Sequence, residues 1–229
     1  MSHIQIAIDG PSGAGKSSLS RAVARAMGII YVDTGALYRT VGYFARSKGI
    51  TPDRITDLVP LLPEIHIEVR YENDTQCVYL NGENLGDRIR ENEISMYASK
   101  VSALPEVRAF LLDTQKNIAE VNSVIMDGRD IGTVILPDAD VKIFLTASNE
   151  TRARRRVKEL EEKGMPASYE TVLADMEQRD AQDRNREIAP AVAAPDAIHF
   201  DNSYEGFDEA VEALLTVIRQ GLSKKGKEI

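Results

Sequence analysis

Eight residues near the start of the chain have the types and spacing of a phosphate-binding loop. Residues 10–17 read Gly-Pro-Ser-Gly-Ala-Gly-Lys-Ser, which fits a glycine, four residues and then Gly-Lys-Ser/Thr. Glycines allow successive backbone N–H groups to turn towards phosphate oxygens. Lys16 would add a charge for the outer phosphates, and the Ser17 hydroxyl can ligate the Mg²⁺ that accompanies a nucleoside triphosphate. We therefore expect the chain to bind a triphosphate here. The residues expected to do so are Gly10, Pro11, Ser12, Gly13, Ala14, Gly15, Lys16, Ser17 and Ser18.

The elements on either side of this loop have the order that the motif requires. An apolar run over residues 4–9 predicts a buried strand before the loop. Leu19, Val23 and Ala26 fall on one face of a helix after it, and Gly28 closes that helix. An accidental glycine-rich turn is the alternative, but it does not require a strand, a loop and a helix in succession. The context therefore favours phosphate binding.

A second group of chemically suited residues follows the strand predicted over 123–127. Asp127-Gly128-Arg129-Asp130 stands where that strand ends. An acidic residue at such a position in a phosphate-loop protein is placed to hold Mg²⁺ or to polarise its water, so we assign Asp127 with Ser17 to the metal. A solvated turn would also explain Asp-Gly alone. The arginine and the second aspartate beyond it favour a functional site.

Arginines are concentrated in two helices late in the chain. The first, over 149–163, is predicted to turn Ala153, Val157 and Leu160 inwards and its four arginines largely elsewhere. These are Arg152, Arg154, Arg155 and Arg156. The second is capped by Ser168, and its apolar face changes to charge along its length. That face carries Tyr169, Val172 and Met176 and then Arg179, Asp183 and Arg186.

Two interpretations of these arginine-bearing helices remain open. One is a solvated face with ion pairs worth only tenths of a kcal/mol each. The other is a helical lid that closes over the triphosphate and brings guanidinium groups to the transferring phosphoryl. The acidic character of the whole chain favours the lid, because clustered arginines are then a local exception.

The rest of the chain predicts an α/β fold around a parallel sheet. Five strands are predicted near residues 4–9, 29–32, 123–127, 141–145 and 197–200, with helices between them. Leu37, Val41 and Phe44 form the buried face of the second helix, and Arg39 lies off that face. Because open α/β sheets bind ligands at the carboxyl ends of their strands, Arg39 is a candidate for substrate binding.

A stretch of different character interrupts this pattern. Residues 49–63 look like a connector broken by prolines. Residues 64–88 then alternate apolar and polar, with turns at Asn73-Asp74 and Asn81-Gly82, as in antiparallel strands. Helices follow near 94–104 and from Pro105, where Val107, Leu111, Thr114, Ile118 and Val121 recur at helical spacing. We predict one domain with a core of 1–63, 104–148 and 188–229, an inserted subdomain over 64–103 and a lid over 149–187.

Composition restricts the setting and the partners. The chain has 28 Lys and Arg against 36 Asp and Glu, a net charge of −8, which argues against a nucleic-acid coat protein. One cysteine, Cys77, excludes a disulfide framework. A strand is predicted to begin within four residues of the start, so we expect no signal peptide. No apolar run approaches the roughly 20 residues of a membrane span. We expect a cytoplasmic protein without membrane or nucleic-acid partners.

The remaining polar residues indicate a second substrate. No Asn-Lys-x-Asp is present to read guanine, and a chain without tryptophan and with an acidic surface is unsuited to a nucleic-acid motor. More cationic and polar groups are present than one triphosphate requires. They are Arg39, Arg108, Arg129, Asp130, Asp183 and Arg186. A second phosphorylated substrate would use them.

With these residues assembled, the chain closely resembles the bacterial cytidylate kinases, the CMP/dCMP kinases among the nucleoside monophosphate kinases. The resemblance runs nearly end to end. It rests on residues 8–16, on Asp33-Thr34-Gly35-Ala36-Leu37-Tyr38-Arg39, on 127–133 and on 179–186. The Asp-Gly-Arg-Asp stretch and the long insert are far more discriminating than the phosphate loop. The resemblance implies a five-stranded P-loop kinase core, an inserted nucleotide-binding subdomain of antiparallel strands and helix, and a helical lid.

The resemblance also implies the reaction and the roles of single residues. MgATP would give its γ-phosphoryl group to CMP or dCMP, and the enzyme would be a monomer. Thr34 belongs to the implied CMP site, in which Ser99, Arg108 and Asp130 read the cytosine. Arg39, Arg129 and Arg186 hold the monophosphate, and Asp183 holds the sugar. The implied catalytic residues are Lys16, Arg155, Arg179 and Arg186.

Two other functions remain open at this point. The acceptor could be UMP or a non-nucleotide alcohol, in which case Asp130 would not select the base. The chain could instead be a nucleotide-sensing module that hydrolyses ATP slowly and contacts a protein through its insert. A sensor has no need of a second anion site, which favours a kinase.

Overall fold

Two sheets and seven helices make up the fold of the described residues. The computed structural model describes residues 3–72, 75–162, 164–203 and 206–227. The predicted turn at Asn73-Asp74 lies outside them, and so does the start of a closing helix that the sequence predicts over 204–222. The strands are β1 Gln5–Asp9, β2 Ile30–Asp33, β3 Ile67–Glu72, β4 Thr75–Leu80, β5 Glu83–Asn84, β6 Val124–Gly128, β7 Val141–Thr146 and β8 Ile198–Asp201. The helices are α1 Lys16–Met27, α2 Thr34–Ser47, α3 Asn92–Val101, α4 Pro105–Val121, α5 Asn149–Glu162, α6 Tyr169–Asn185 and α7 Phe207–Lys224.

Five of the strands form the parallel sheet that the apolar runs predict. Its order is β2-β6-β1-β7-β8, so β1 lies in the middle between two strands that follow it much later in the chain. Asp9 is in register with Gly128 on one side and with Phe144 on the other. The carboxyl ends of β1, β6 and β7 therefore meet at one edge, which is where an open α/β sheet binds ligands.

The antiparallel patch is also confirmed. β3, β4 and β5 form a separate three-stranded antiparallel sheet, in which Ile67 pairs with Leu80. Most of its residues are half-buried or exposed, which agrees with their alternating sequence. The connector before it is a run of 3₁₀ turns over Pro52–Glu64 that buries Ile55, Leu58 and Leu62.

The chain divides into two compact units. The P-loop unit comprises the residues up to Tyr31 and from Asn122 onward, and the second unit comprises Val32–Val121. The core of the P-loop unit packs α1 and α7 on the parallel sheet and includes Ile6, Leu19 and Ile143. The core of the second unit includes Leu37, Leu58 and Leu111. The finer boundaries at 64–103 and 149–187 stay predictions.

Two residues expected on apolar helix faces lie elsewhere. Ala26 is exposed, and Met27 is buried in its place. Val121 is 69% exposed at the end of α4, where Gln115 and Ala119 complete the buried face. Both errors arise at the last turn of a helix, where a small shift of the helical phase changes which side chain meets the core. In the ranges that the structure covers, no helix combines the length and hydrophobicity of a membrane span.

Candidate active site

The phosphate-binding loop has the backbone conformation that its glycines predict. Gly10, Gly13 and Gly15 have φ angles of +147°, +72° and +96°, and Gly15 stands immediately before α1. At Gly10 the requirement is also steric, because a Cβ atom there would lie 1.9 Å from the backbone oxygen of Leu145 in β7. The loop therefore begins in direct contact with the neighbouring strand.

Lys16 is buried at the start of α1. Its Nζ donates a hydrogen bond of 2.7 Å to the backbone oxygen of Pro11, across the loop. Burial, with a further contribution from the nearby charge of Arg129, lowers the pKa of Lys16 to about 7. Phosphate oxygens placed beside it would favour the charged form. Lys16 is thus positioned to become charged when an anion binds beside it.

Ser17 and Asp127 are in direct contact. The Ser17 hydroxyl donates to one carboxylate oxygen of Asp127 at 2.8 Å, and the Tyr31 hydroxyl donates to the other at 2.9 Å. A hydroxyl and a carboxylate are oxygen ligands of the kind that Mg²⁺ takes. Among the residues that the structure describes, no group of three or more His, Cys, Asp or Glu side chains could hold a metal ion. A Mg²⁺ here would therefore need further oxygens from a nucleotide and water.

Asp9 connects β1 to the segment that carries Asp130. Its two carboxylate oxygens accept from the backbone N–H groups of Ile131 and Gly132, both at 2.8 Å. These groups open the short π-helical turn Ile131–Ile135, which Asp130 precedes. Burial outweighs the two hydrogen bonds and raises the pKa of Asp9 to about 6, with a smaller contribution from Asp130.

Four predicted substrate-binding residues form one charged cluster in the P-loop unit: Arg129, Asp130, Asp183 and Arg186. Nε of Arg129 donates to Asp183 at 3.0 Å. Arg186 lies 3.5 Å from Asp130 and 3.9 Å from Asp183. The cluster joins the end of β6 to the end of α6. It provides two guanidinium groups and two carboxylates within one small region.

Arg155 lies beside the loop on α5. It donates to the backbone oxygen of Asn202 at 2.8 Å and more weakly to that of Ala14 at 3.5 Å. Partial burial lowers its pKa. Arg155 lines a cavity of about 310 Å³ together with Gly15, Ser18, Leu19, Asn202 and Phe207. Arg179, the other lid arginine, is half-buried on α6, and its positive charge is among the causes that lower the pKa of Lys16.

Arg39 is held in place within the second unit. It forms an ion pair of 2.6 Å with Asp33, and the other oxygen of Asp33 caps α2 by accepting from Ala36. The amide side chain of Gln76 accepts from the backbone N–H of Asp33 and donates to its carbonyl. Thr34, the first residue of α2, is buried. The guanidinium of Arg39 is therefore oriented before any substrate arrives.

Ser99 and Arg108 belong to the same unit. Arg108 is buried, donates to the backbone oxygen of Ser102 at 3.1 Å and lies 5.6 Å from the ring centre of Tyr38. Ser99 is half-buried on α3, and its carbonyl accepts from the Ser102 hydroxyl at 2.9 Å. Ser102 thus connects the two predicted base-reading residues.

Known proteins are similar to this chain over nearly its whole length. The family model for cytidylate kinase matches residues 6–220. The chain belongs to the cytidylate kinase family. A cytidylate kinase of Fervidobacterium nodosum is 47% identical over 218 residues, which cover 95% of this chain and 97% of that protein. A cytidylate kinase of Streptococcus agalactiae is 41% identical over 225 residues, covering 98% and 97%.

One solved structure shares the fold of this family member. The crystal structure of an uncharacterized protein from Eubacterium ventriosum superposes with a TM-score of 0.51 over 95% of this chain and 99% of that one. The two sequences are 16% identical, so the likeness shows the α/β fold alone. The family membership therefore rests on the sequence relatives, and the architecture rests on the structure.

The sequence patterns misplaced one arginine and missed its partner. Arg152 was expected to lie off the inward face of α5, but it is buried and pairs with Asp180 of α6. Charge alone does not indicate exposure, because an arginine with enough acceptors can be buried. A signal for Asp180 was present, because it follows Met176 by four residues and therefore continues the buried face of α6.

Proposed function

We propose that this member of the cytidylate kinase family transfers the γ-phosphoryl group of MgATP to CMP or dCMP, giving ADP and CDP or dCDP. Family membership supports the reaction. The structural observation that carries it is the charged cluster of Arg129, Asp130, Asp183 and Arg186, which lies in the same unit as the phosphate-binding loop. A protein that only bound or hydrolysed a triphosphate would not need this second set of anion-binding groups.

The loop and its neighbours would hold the donor. Backbone N–H groups within the loop of residues 10–18 would surround the phosphates, and Lys16 would supply positive charge to them. Ser17 and Asp127 would hold the Mg²⁺, which neutralises phosphate charge when it is bound. The cavity beside Gly15 has apolar walls from Leu19 and Phe207 and would take the purine ring. In its present position Arg155 would contact the donor nucleotide.

The acceptor needs no general base, because its phosphate is already an anion near neutral pH. Catalysis then consists of holding donor and acceptor in line and neutralising the charge that the transferring group carries. We assign this neutralisation to Lys16, Arg155, Arg179 and Arg186. Closure of the lid would also keep water from taking the phosphoryl group.

The cytosine base would be selected by hydrogen-bond polarity. We propose that Thr34, Ser99, Arg108 and Asp130 form its site, with Arg39, Arg129 and Arg186 on the monophosphate and Asp183 on the sugar. Cytosine has an amine donor where uracil has a carbonyl, so the carboxylate of Asp130 attracts the first base and repels the second. The same residues would accept the ribose and deoxyribose forms.

ADP release from MgATP tests both the reaction and the base selection. CMP, dCMP, UMP and AMP are each offered to the wild type, to Asp130→Asn and to Asp175→Asn, a control that changes an exposed carboxylate on α6. We expect turnover with CMP and dCMP alone in the wild type. Asp130→Asn is expected to lower kcat/KM for CMP by roughly 100-fold or more, since the site loses its charge-assisted bond to the base.

Three outcomes would contradict the assignment. Equal turnover of UMP and CMP by the wild type would remove the base-reading role of Asp130. No stimulation by any acceptor would remove the kinase reaction. Steady ATP turnover that CMP leaves unchanged would favour the nucleotide-sensing module.

The setting of the enzyme is part of the same proposal. We propose a cytoplasmic monomer: the single Cys77 suits a reducing compartment, and the resemblance to cytidylate kinases favours one chain per molecule. Light scattering of the eluted protein at micromolar concentration would give a mass near 25.3 kDa for a monomer.

A further inference from the structure

The base of the α5–α6 hairpin is hydrogen-bonded to both polar backbone groups of Ser12 in the phosphate-binding loop. The backbone N–H of Ser12 donates to Asp180 at 3.3 Å, and the backbone oxygen of Ser12 accepts from Arg152 at 2.8 Å. Arg152 and Asp180 are themselves an ion pair. One ion pair therefore satisfies both polar backbone groups of one loop residue.

Arg152 has little freedom to leave this position. Its Nε donates to the backbone oxygen of Ala147 at 3.1 Å, where β7 ends, and its second terminal nitrogen donates to the Asn149 side chain. The side chains of Arg152 and Asp180 are only 4% and 9% exposed. A buried ion pair is weak evidence for stability, because desolvating two charges offsets their attraction. A positional role is therefore the more economical explanation.

The residue after Ser12 is enclosed by the same two helices. A Cβ atom on Gly13 would lie 2.7 Å from the methyl carbon of Met176 and 3.4 Å from Cβ of Arg152. The loop thus packs against α6 and α5 directly as well as through hydrogen bonds. A displacement of the hairpin base would be transmitted to the loop backbone at Ser12 and Gly13.

Asp180 also brings a negative charge to a loop that has to receive phosphates. Its carboxylate occupies the N–H of Ser12, a group that could otherwise point at an anion. Arg152 neutralises that charge at the point of contact. The pair can therefore hold the loop without repelling the ligand, provided that both partners are present.

We propose that Arg152 and Asp180 are positioning residues for the donor phosphates. They fix the Ser12 peptide and so set the direction of the N–H groups that follow it, and they couple the loop to the base of the lid. This inference rests on the proposed function in one respect, that the loop holds a triphosphate. It assigns these two residues no contact with CMP.

Calorimetric titration with inorganic triphosphate isolates this role, because that probe has neither base nor sugar. Magnesium triphosphate and MgATP are titrated into the wild type, Asp180→Asn, Arg152→Lys and Glu159→Gln. Glu159 is the control, since it pairs on α5 with Arg156 in a partly exposed contact. We expect both ligands to bind about tenfold or more weakly, by the same factor, to Asp180→Asn and Arg152→Lys. The control should bind within twofold of the wild type, and the KM for CMP should change less than twofold in all variants.

Thermal unfolding of each variant separates positioning from stability. Wild-type affinity for triphosphate in Asp180→Asn and Arg152→Lys, with only the melting temperature lowered, would overturn the proposal. If neither variant is folded at 10 °C, the pair is required for folding and the proposal also fails. Failure of the proposed function would look different: the wild type would bind triphosphate, yet CMP would not stimulate ADP release.

Discussion

Two charged groups on the same helix differ in how completely the protein itself satisfies them. Asp180 and Asp183 lie about one turn apart on α6. Asp180 pairs with Arg152, whose donors meet protein oxygens at 3.1 Å or less. Asp183 faces Arg129 at 3.0 Å and Arg186 at 3.9 Å, and these arginine side chains are 20% and 11% exposed.

The difference separates an ion pair that holds structure from one that can exchange partners. A guanidinium with its donors on backbone carbonyls gains little from a new anion, because it would have to give up what it already has. Arg186 also donates from Nε to the backbone oxygen of Ala189. Its contacts with Asp130 and Asp183 are longer and cost less to replace, and a phosphate with more charge and more oxygens is a stronger acceptor. Variants that break the first pair should therefore lower stability as well as donor binding, whereas variants of the charged cluster should lower activity more than stability.

The largest effect is expected from Arg152→Ala. It leaves the carboxylate of Asp180 buried without its partner, which typically costs about 3–5 kcal/mol. The melting temperature should then fall by on the order of 10 °C for a chain of this length. Scanning calorimetry of Arg152→Ala beside Arg154→Ala, an exposed arginine of the same helix, measures this directly. A fall no larger than that of the control would mean that Arg152 is not the structural member of the comparison.

Arg129→Ala should lower activity more than it lowers stability. Loss of a cation aimed at the acceptor phosphate is expected to lower kcat/KM for CMP by about 100- to 1000-fold. The melting temperature should fall less than in Arg152→Ala, because Arg129 is 20% exposed and Asp183 keeps Arg186 as a second partner. Steady-state kinetics and calorimetry on the same preparation check both halves. If Arg129→Ala melts at as low a temperature as Arg152→Ala and keeps its activity, Arg129 has a structural role and does not bind the acceptor.

The buried carboxylate of Asp9 should make the stability of the P-loop unit depend on pH. Its pKa is about 6 in the folded protein against an ordinary value of 3.8. Between about pH 4 and pH 6 the folded state thus binds this proton more strongly than the unfolded chain, and stability falls as the pH rises through that window. Asp9→Asn removes the titration. The free energy of unfolding of the wild type should therefore fall by up to about 3 kcal/mol relative to that of the variant from pH 4 to pH 6, and by little more above pH 7.

Denaturant unfolding at several pH values measures this trend. A difference between wild type and Asp9→Asn that stays constant from pH 4 to pH 7 would show that the two amide bonds, rather than burial, dominate the titration of Asp9. A wild type that becomes more stable relative to Asp9→Asn as the pH rises would also show that the amide bonds dominate.

Much of the fold and of the loop follows from local patterns in the sequence. The five sheet strands are apolar runs, and the glycine spacing alone defines the loop that ends at Lys16 and Ser17. The helical spacing correctly predicts the charged continuation of the α6 face to Asp183, but Arg186 follows the end of that helix in an extended conformation. These features depend on residues close in sequence, where periodicity and turn chemistry carry the information.

The remainder depends on partners that no local pattern identifies. The acceptors of Arg152 come from Ser12, 140 residues away, and from Asp180, 28 residues away. Gln76 reaches the backbone of Asp33 from 43 residues away. A helical wheel assigns faces, but it does not show whether a charge on a buried face finds enough acceptors there. That information exists only once the strands and helices are assembled.

The close approach at Gly10 limits how this loop could be transplanted. The loop sequence is short, and its residues are consecutive, so it looks like a portable module. Yet the space around its first residue is shaped by the Leu145 carbonyl, which belongs to a strand 135 positions further along the chain and is in register with β1. A designer who grafts the loop onto another strand and helix must also supply an adjacent parallel strand with the same register.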